Sequence, residues 1–121
     1  MPGQRDQRDQ RDQRDQRDQR DQRDQRIVDV IRSLREGEVV TYGEIASDAG
    51  HPGLSRLVGR LLAQADDAED LPWWRVVNAM GRLVPGNERD QAAQLRREDV
   101  DVRDGRVRWA PIGRFSSRSR P

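Results

Sequence analysis

Few side chains in these 121 residues could do chemistry, and most of them exclude a reaction. There is no cysteine, so a thiol nucleophile, a thiolate metal site and a disulfide framework are all absent. His51 is the only histidine and stands in a turn without a second cluster of ligand-type residues, so no metal site is expected. Ser33, Ser47 and Ser55 sit in helical or capping contexts, with no base at nucleophile spacing. Gly50, Gly53 and Gly59 do not match a dinucleotide or phosphate loop, and no cofactor is expected.

Two features point the other way. Ser55, Arg56, Gly59, Arg60 and Ala63 fall on one side of a helical stretch, opposite its leucines. Small residues beside two arginines let a backbone come close to a phosphate chain or a groove, while the arginines contact phosphates or bases. The same pattern also suits a solvated face with a helix contact at Gly59. The second feature is LPWWRVV, Leu71 to Val77, with two adjacent indoles between a proline and an arginine. Successive side chains of a strand point to opposite faces, so Trp73 and Trp74 are expected to do different things.

The elements that must position these residues can be read from periodicity. Ile27, Val30, Ile31 and Leu34 have helical spacing, with Gly37 as the expected stop. Thr41 and Glu44 have capping-box spacing, predicting a short helix from Tyr42 to Ala49 that ends at Gly50. After His51-Pro52-Gly53 a second helix carries Leu54, Leu57, Val58, Leu61 and Leu62, giving a helix-turn-helix pattern. WRVV and RLV flank Asn78 to Gly81 as an expected hairpin. Asn87 should cap a helix to about Glu98 with Ala92, Ala93 and Leu95 inward, and Asp104-Gly105 predicts a final hairpin. The expected fold is mostly α with small β hairpins, a winged-helix-like helix-turn-helix DNA-binding domain.

Composition sets the boundaries. Residues 4–26 are seven Gln-Arg-Asp triplets followed by Gln-Arg, without an apolar side chain, so residues 1–26 are expected to be disordered or at best a solvated helix. That tract takes 8 of the 23 basic and 7 of the 22 acidic residues, leaving 15 of each. Net charge therefore names no partner. Its distribution says more: residues 103–121 hold 6 arginines against Asp104 alone. Such an end suits a polyanion, or is a solvated tail. The expected domain spans 27–110, with 111–121 a basic tail. No apolar run is long enough for a membrane span or signal peptide, so a cytoplasmic monomer is expected, nucleoid-associated in a bacterium.

VVTYGEIASDAGHPGLSRLVGRLLAQ, then LPWWRVVNAMGRL, then QLRRED resemble the C-terminal DNA-binding domain of O6-alkylguanine-DNA alkyltransferases. In that family the motif reads Pro-Cys-His-Arg and the cysteine takes the alkyl group. Here Pro72, Trp73, Trp74 and Arg75 stand in its place. An indole cannot act as the nucleophile that a thiolate is. Trp at the cysteine position is similar to the alkyltransferase-like proteins, which are not enzymes; their familiar members keep the histidine that Trp74 replaces.

The resemblance implies a sensor of O6-alkylguanine in double-stranded DNA that flips the lesion and flags it for nucleotide excision repair proteins. It implies DNA contacts by Tyr42, Ser55, Arg56, Gly59 and Arg60. Arg56 is the finger that fills the vacated stack, Tyr42 crowds the 3′ phosphate, and the helix enters the minor groove. Pro72, Trp73, Arg75 and Val84 are the implied lesion pocket, closed by the loop from Val84 to Asn87, with Arg75 also tying the motif to its neighbours. Glu98 matches the acid that supports the Cys/His pair in the enzymes; with both partners replaced it is expected to be a helix-end residue. The residues alone also allow a winged-helix transcription regulator, in which Arg56 and Arg60 read a sequence and both tryptophans are core.

Overall fold

Helix α1 runs from Pro2 to Arg32 in the computed structural model, which describes residues 2–66 and 70–117, with side chains from residue 13 onward. It passes through the Gln-Arg-Asp repeat, where composition predicts disorder or at best a solvated helix, and the helix is what forms. Gln and Arg rank among the better helix formers, and the packed residues Ile27 and Ile31 supply the nucleus from which a helix can extend backward. Gln25 bonds Asp29 one turn on at 2.8 Å. The helix also stops short of the expected Gly37. Ser33 turns its hydroxyl back to the Val30 carbonyl at 2.6 Å, and the chain leaves helical geometry there.

Strand β1 (Glu38–Thr41) leads directly into α2 (Tyr42–Asp48). Thr41 is the N-cap, its Oγ1 accepting from the Glu44 N–H at 3.1 Å, as the capping-box spacing predicts. Helix α3 (Ser55–Gln64) buries Leu57 and Val58 against α2 and α1. The helix-turn-helix is thus formed, with α3 as its second helix.

Downstream the strand pairing departs from expectation. Trp73–Arg75 form a single 3-10 turn, and only Val76–Val77 form strand β2. Strand β2 pairs in parallel with β1, Val40 opposite Val76, instead of folding back on Arg82–Val84 as a hairpin. The turn itself is real: the Asn78 Oδ1 accepts from the Met80 and Arg82 N–H groups at 2.9 and 2.8 Å. The reason is burial on both faces. Val76 and Val77 are fully buried, and a strand covered on both sides fits the middle of a fold better than an edge hairpin.

Helix α4 (Glu88–Arg97) is followed by the hairpin of β3 (Asp101–Arg103) and β4 (Arg106–Trp109). Asp104 and Gly105 both have positive φ, 54° and 70°, which is the turn that Asp-Gly favours. Strand β5 (Ile112–Gly113) pairs in parallel with the other edge of β1, and a 3-10 turn (Arg114–Ser116) follows. The basic tail expected from residue 111 therefore begins later. Phe115 is buried, and one aromatic among arginines was too weak a signal to extend the domain. Residues 118–121 lie outside the described residues.

The small sheet β2-β1-β5 divides two cores by strand alternation. Val40 and Val76 face Ile27, Ile31, Ile45 and Val58; Val39 and Val77 face Leu83, Leu95, Val102, Val107 and Phe115. Gly113 makes the β5 edge possible. Its φ of 95° and ψ of −162° fall in a region nearly closed to other residues, and a Cβ there would lie 2.9 Å from the Val39 carbonyl oxygen. Gly113→Ala is expected to lower unfolding free energy by about 1–3 kcal/mol, read from chemical denaturation. Among the described residues no helix is long and apolar enough to cross a membrane.

Candidate nucleic-acid interface

The capping box sets the first part of the site, because it places Tyr42 at the start of α2 with its ring against α3. Burial raises the Tyr42 phenol above its ordinary value of 10.0. At neutral pH it is an uncharged O–H donor, suited to a phosphate oxygen. On α3, Arg56, Arg60 and Ala63 are exposed and Ser55 and Gly59 half-buried. Neither arginine has an ion-pair partner among the described residues, so the outer face of α3 presents two free guanidinium groups.

Gly59 faces the Tyr42 ring. A methyl added there would sit 3.8 Å from the nearest ring carbon, an ordinary van der Waals distance. Glycine in a helix interior costs about 1 kcal/mol relative to alanine, and helix packing here does not require it. The helix contact thus leaves the small residue unexplained.

The expected pocket residues are divided between two clefts. Val84 shares a cleft of about 340 Å³ with Tyr42, Asn78, Leu83 and Pro85, in the size range of small-ligand pockets. Trp73 lines a smaller cleft of about 150 Å³ with Leu62, Ala65, Leu71 and Trp74. Pro72 is buried beside it. Arg75 lines neither cleft. Its Nε and Nη2 donate to the two Glu98 carboxylate oxygens at 2.9 Å each, and its Nη1 donates to the Leu34 carbonyl at 2.8 Å.

Glu98 corrects the reading of it as a mere helix end. It is the C-cap residue of α4, but its carboxylate is the hub of the motif. Besides Arg75 it accepts from the Trp74 indole N–H at 2.6 Å and from the Gly37 N–H at 2.8 Å. Its side chain is only 8% exposed and that of Arg75 14%. Burial alone would raise the Glu98 carboxyl, yet the hydrogen bonds from Arg75, Gly37 and Trp74 and the Arg75 charge outweigh it and hold the group below its ordinary value of 4.5.

Trp74 is therefore more than packing. An indole N–H is a donor only, and a donor is what the carboxylate needs. Its ring packs on the second core, lies 5.3 Å from the Arg75 guanidinium and meets the Trp73 ring edge-on at 6.4 Å and 86°. Strand alternation does not separate the two indoles, because they stand in a 3-10 turn and both border the smaller cleft.

Gln91 is a positioning residue the sequence reading missed. It is fully buried, accepts from the Val84 N–H at 2.7 Å and donates to the Trp74 and Val76 carbonyls at 3.1 and 3.0 Å. It ties the Val84 loop to the motif. Its signal was its place one turn before Leu95; the helix face is rotated so that Gln91 points inward and Ala93 is exposed. Among the described residues no group of three His, Cys, Asp or Glu side chains could hold a metal ion.

This arrangement has recognisable relatives. Residues 22–100 match the model of the 6-O-methylguanine DNA methyltransferase DNA-binding domain. A DNA base-flipping protein of Vibrio parahaemolyticus is 38% identical over 93 residues, covering 70% of this chain and 93% of that protein. Alkyltransferase-like protein 1 of Schizosaccharomyces pombe is 31% identical over 80 residues, covering 63% and 74%. The crystal structure of S. pombe Atl1 with damaged DNA containing O6-carboxymethylguanine superimposes with a TM-score of 0.64 at 30% identity, over 69% of this chain and 81% of that one. The chain belongs to the 6-O-methylguanine DNA methyltransferase DNA-binding domain family, among its alkyltransferase-like members.

Proposed function

We propose that the protein recognises O6-alkylguanine in duplex DNA without repairing it. The outer face of α3 approaches the duplex, Arg56 enters the base stack, Tyr42 donates to the phosphate beside the lesion, and the extruded base enters the cleft between Tyr42 and the Leu83–Pro85 loop. Extrusion costs a few kcal/mol for a normal base and less for a damaged one that pairs poorly, which is one source of selectivity. Trp73 supplies an aromatic surface to the alkylated base. Since Trp73 borders a different cleft, stacking requires its ring or the Leu83–Pro85 loop to shift when DNA binds.

The observation that carries this reading is Trp73 in the Pro-Cys-His-Arg position of a chain without cysteine, next to a free basic helix face. With no thiol to accept the alkyl group, the lesion outlasts its recognition. Removal then falls to other enzymes, and nucleotide excision repair proteins are the candidates the family resemblance supplies.

The test compares affinity for two duplexes identical except for one O6-methylguanine. Tighter binding to the lesion duplex is expected, and equal affinities would overturn the reading. Arg56→Ala is expected to lower lesion affinity from several-fold to about a hundredfold, about 1–3 kcal/mol for the lost stack-filling contact, with an unchanged melting temperature because Arg56 is exposed.

A further inference from the structure

The charge-bearing C-terminal third has a part in the fold that base recognition does not use. Strand alternation points Leu83, Val102 and Val107 into the second core, which leaves their neighbours Arg82, Arg103, Arg106 and Arg108 on the outer face. The register then lines three of them up. Arg106 lies opposite Arg103 in the hairpin and opposite Arg82 in an isolated antiparallel bridge, and Arg108 follows two residues along β4. The Leu83 N–H to Gly105 and Val107 N–H to Gly81 bonds flank the Arg82/Arg106 pair, which makes it the closer, non-hydrogen-bonded kind.

Like charges directly opposite one another on a sheet destabilise it. Nearby acids relieve this only in part. Asp101 pairs with Arg103 at 3.3 Å, whereas Arg82, Arg106 and Arg108 have no ion-pair partner among the described residues, with Glu88 and Asp104 the other acids at this end. Around the corner Arg106 and Arg108 share a cleft of about 310 Å³ with Arg114 and with Met80, which is 63% exposed. Arg114 reaches Glu44 of α2 only at 3.9 Å.

We infer that the outer face of Arg82 and the β3–β4 hairpin is a second contact for the DNA backbone, holding phosphates that flank the extruded nucleotide. The location favours DNA over an acidic protein. Arg82 and the Asp104-Gly105 turn also line the Tyr42 cleft, so the basic row starts at the mouth through which the base would enter and leads away from it. Tyr42 joins that mouth to α3, because its ring lies against Gly59. Contacts to the backbone carry no sequence information, so a row that holds phosphates is expected to act alike on both duplexes. The inference rests on duplex DNA being the ligand, and its readout does not depend on lesion preference.

The experiment measures affinity of the full chain for lesion-free and O6-methylguanine duplexes across a salt series, for the wild type, Arg106→Gln/Arg108→Gln and Arg106→Lys/Arg108→Lys. Each lost phosphate contact lowers the slope of log K against log salt by about 0.9. The Gln pair is expected to reduce the slope by about two and to weaken both duplexes by the same factor. The Lys pair, which keeps the charge, is expected to hold the wild-type slope. An unchanged slope in the Gln pair, or a loss confined to the lesion duplex, would overturn the inference. Absence of lesion preference in the wild type would sink the lesion reading alone, with the slope test still decisive for the basic row.

Discussion

Glu98→Gln is expected to lower the unfolding free energy by about 3 kcal/mol, the scale for removing one partner of a buried ion pair. The substitution keeps the shape of the side chain and removes its charge. Arg75 would be left with its guanidinium 14% exposed and no carboxylate, while the Trp74 and Gly37 donors would face an amide that can satisfy them only in part. Four segments meet around this carboxylate: the turn after α1 through Leu34 and Arg75, the Gly37 turn, the motif turn and the end of α4. The loss should therefore appear as a single cooperative shift of the denaturation curve.

The pH dependence separates this account from simple packing damage. Because the folded-state carboxyl is held below its ordinary value of 4.5, its contribution is fully present above that value and is lost as pH falls through the lower folded-state value. The wild-type and Glu98→Gln stability curves should run parallel from neutral pH down to about 4.5 and then approach each other. A gap that stays constant through the acid limb would mean that the Glu98 charge contributes nothing.

Trp73→Ala is expected to reduce affinity for an O6-methylguanine duplex from several-fold to about a hundredfold, the range of about 1–3 kcal/mol for one base stacked on an aromatic ring. Affinity for the lesion-free duplex should barely change, because the α3 arginines and Tyr42 remain. Trp73 is half-exposed, with its indole on the smaller cleft and its edge toward Trp74, so truncation removes surface more than core. Trp73→Phe should recover part of the loss. Fluorescence anisotropy with paired duplexes measures all three. An equal loss on both duplexes would make Trp73 a general support of the fold and remove it from the lesion pocket.

The two predictions act on opposite sides of one short turn. Trp73 faces the smaller cleft, and Arg75 is turned into the fold to hold the motif to Glu98. Trp74 joins both, touching Trp73 by its edge and Glu98 by its N–H. An imidazole in that position would add a group that titrates near neutral pH; the indole donates the hydrogen bond and has no such proton to lose. The motif is thereby held as a fixed scaffold around Glu98.

What could be read without coordinates was local. The Thr41 cap, the Asp104-Gly105 turn and the α3 face each depend on residues within a few positions of one another, and all three are formed. The absence of cysteine excludes thiol transfer whatever the fold. Tertiary structure alone decided the rest. Val76-Val77 is too short to announce its partner, and only burial on both faces makes it a parallel neighbour of β1. Glu98 lies 61 residues from Gly37 and 24 and 23 from Trp74 and Arg75, so no spacing rule connects them. The arginine row exists only through strand register, which pairs residue 82 with 106 and 106 with 103. Short-range hydrogen bonding is encoded in neighbouring residue types, whereas charges meet across a fold only where packing of the two cores brings their strands and helix ends together.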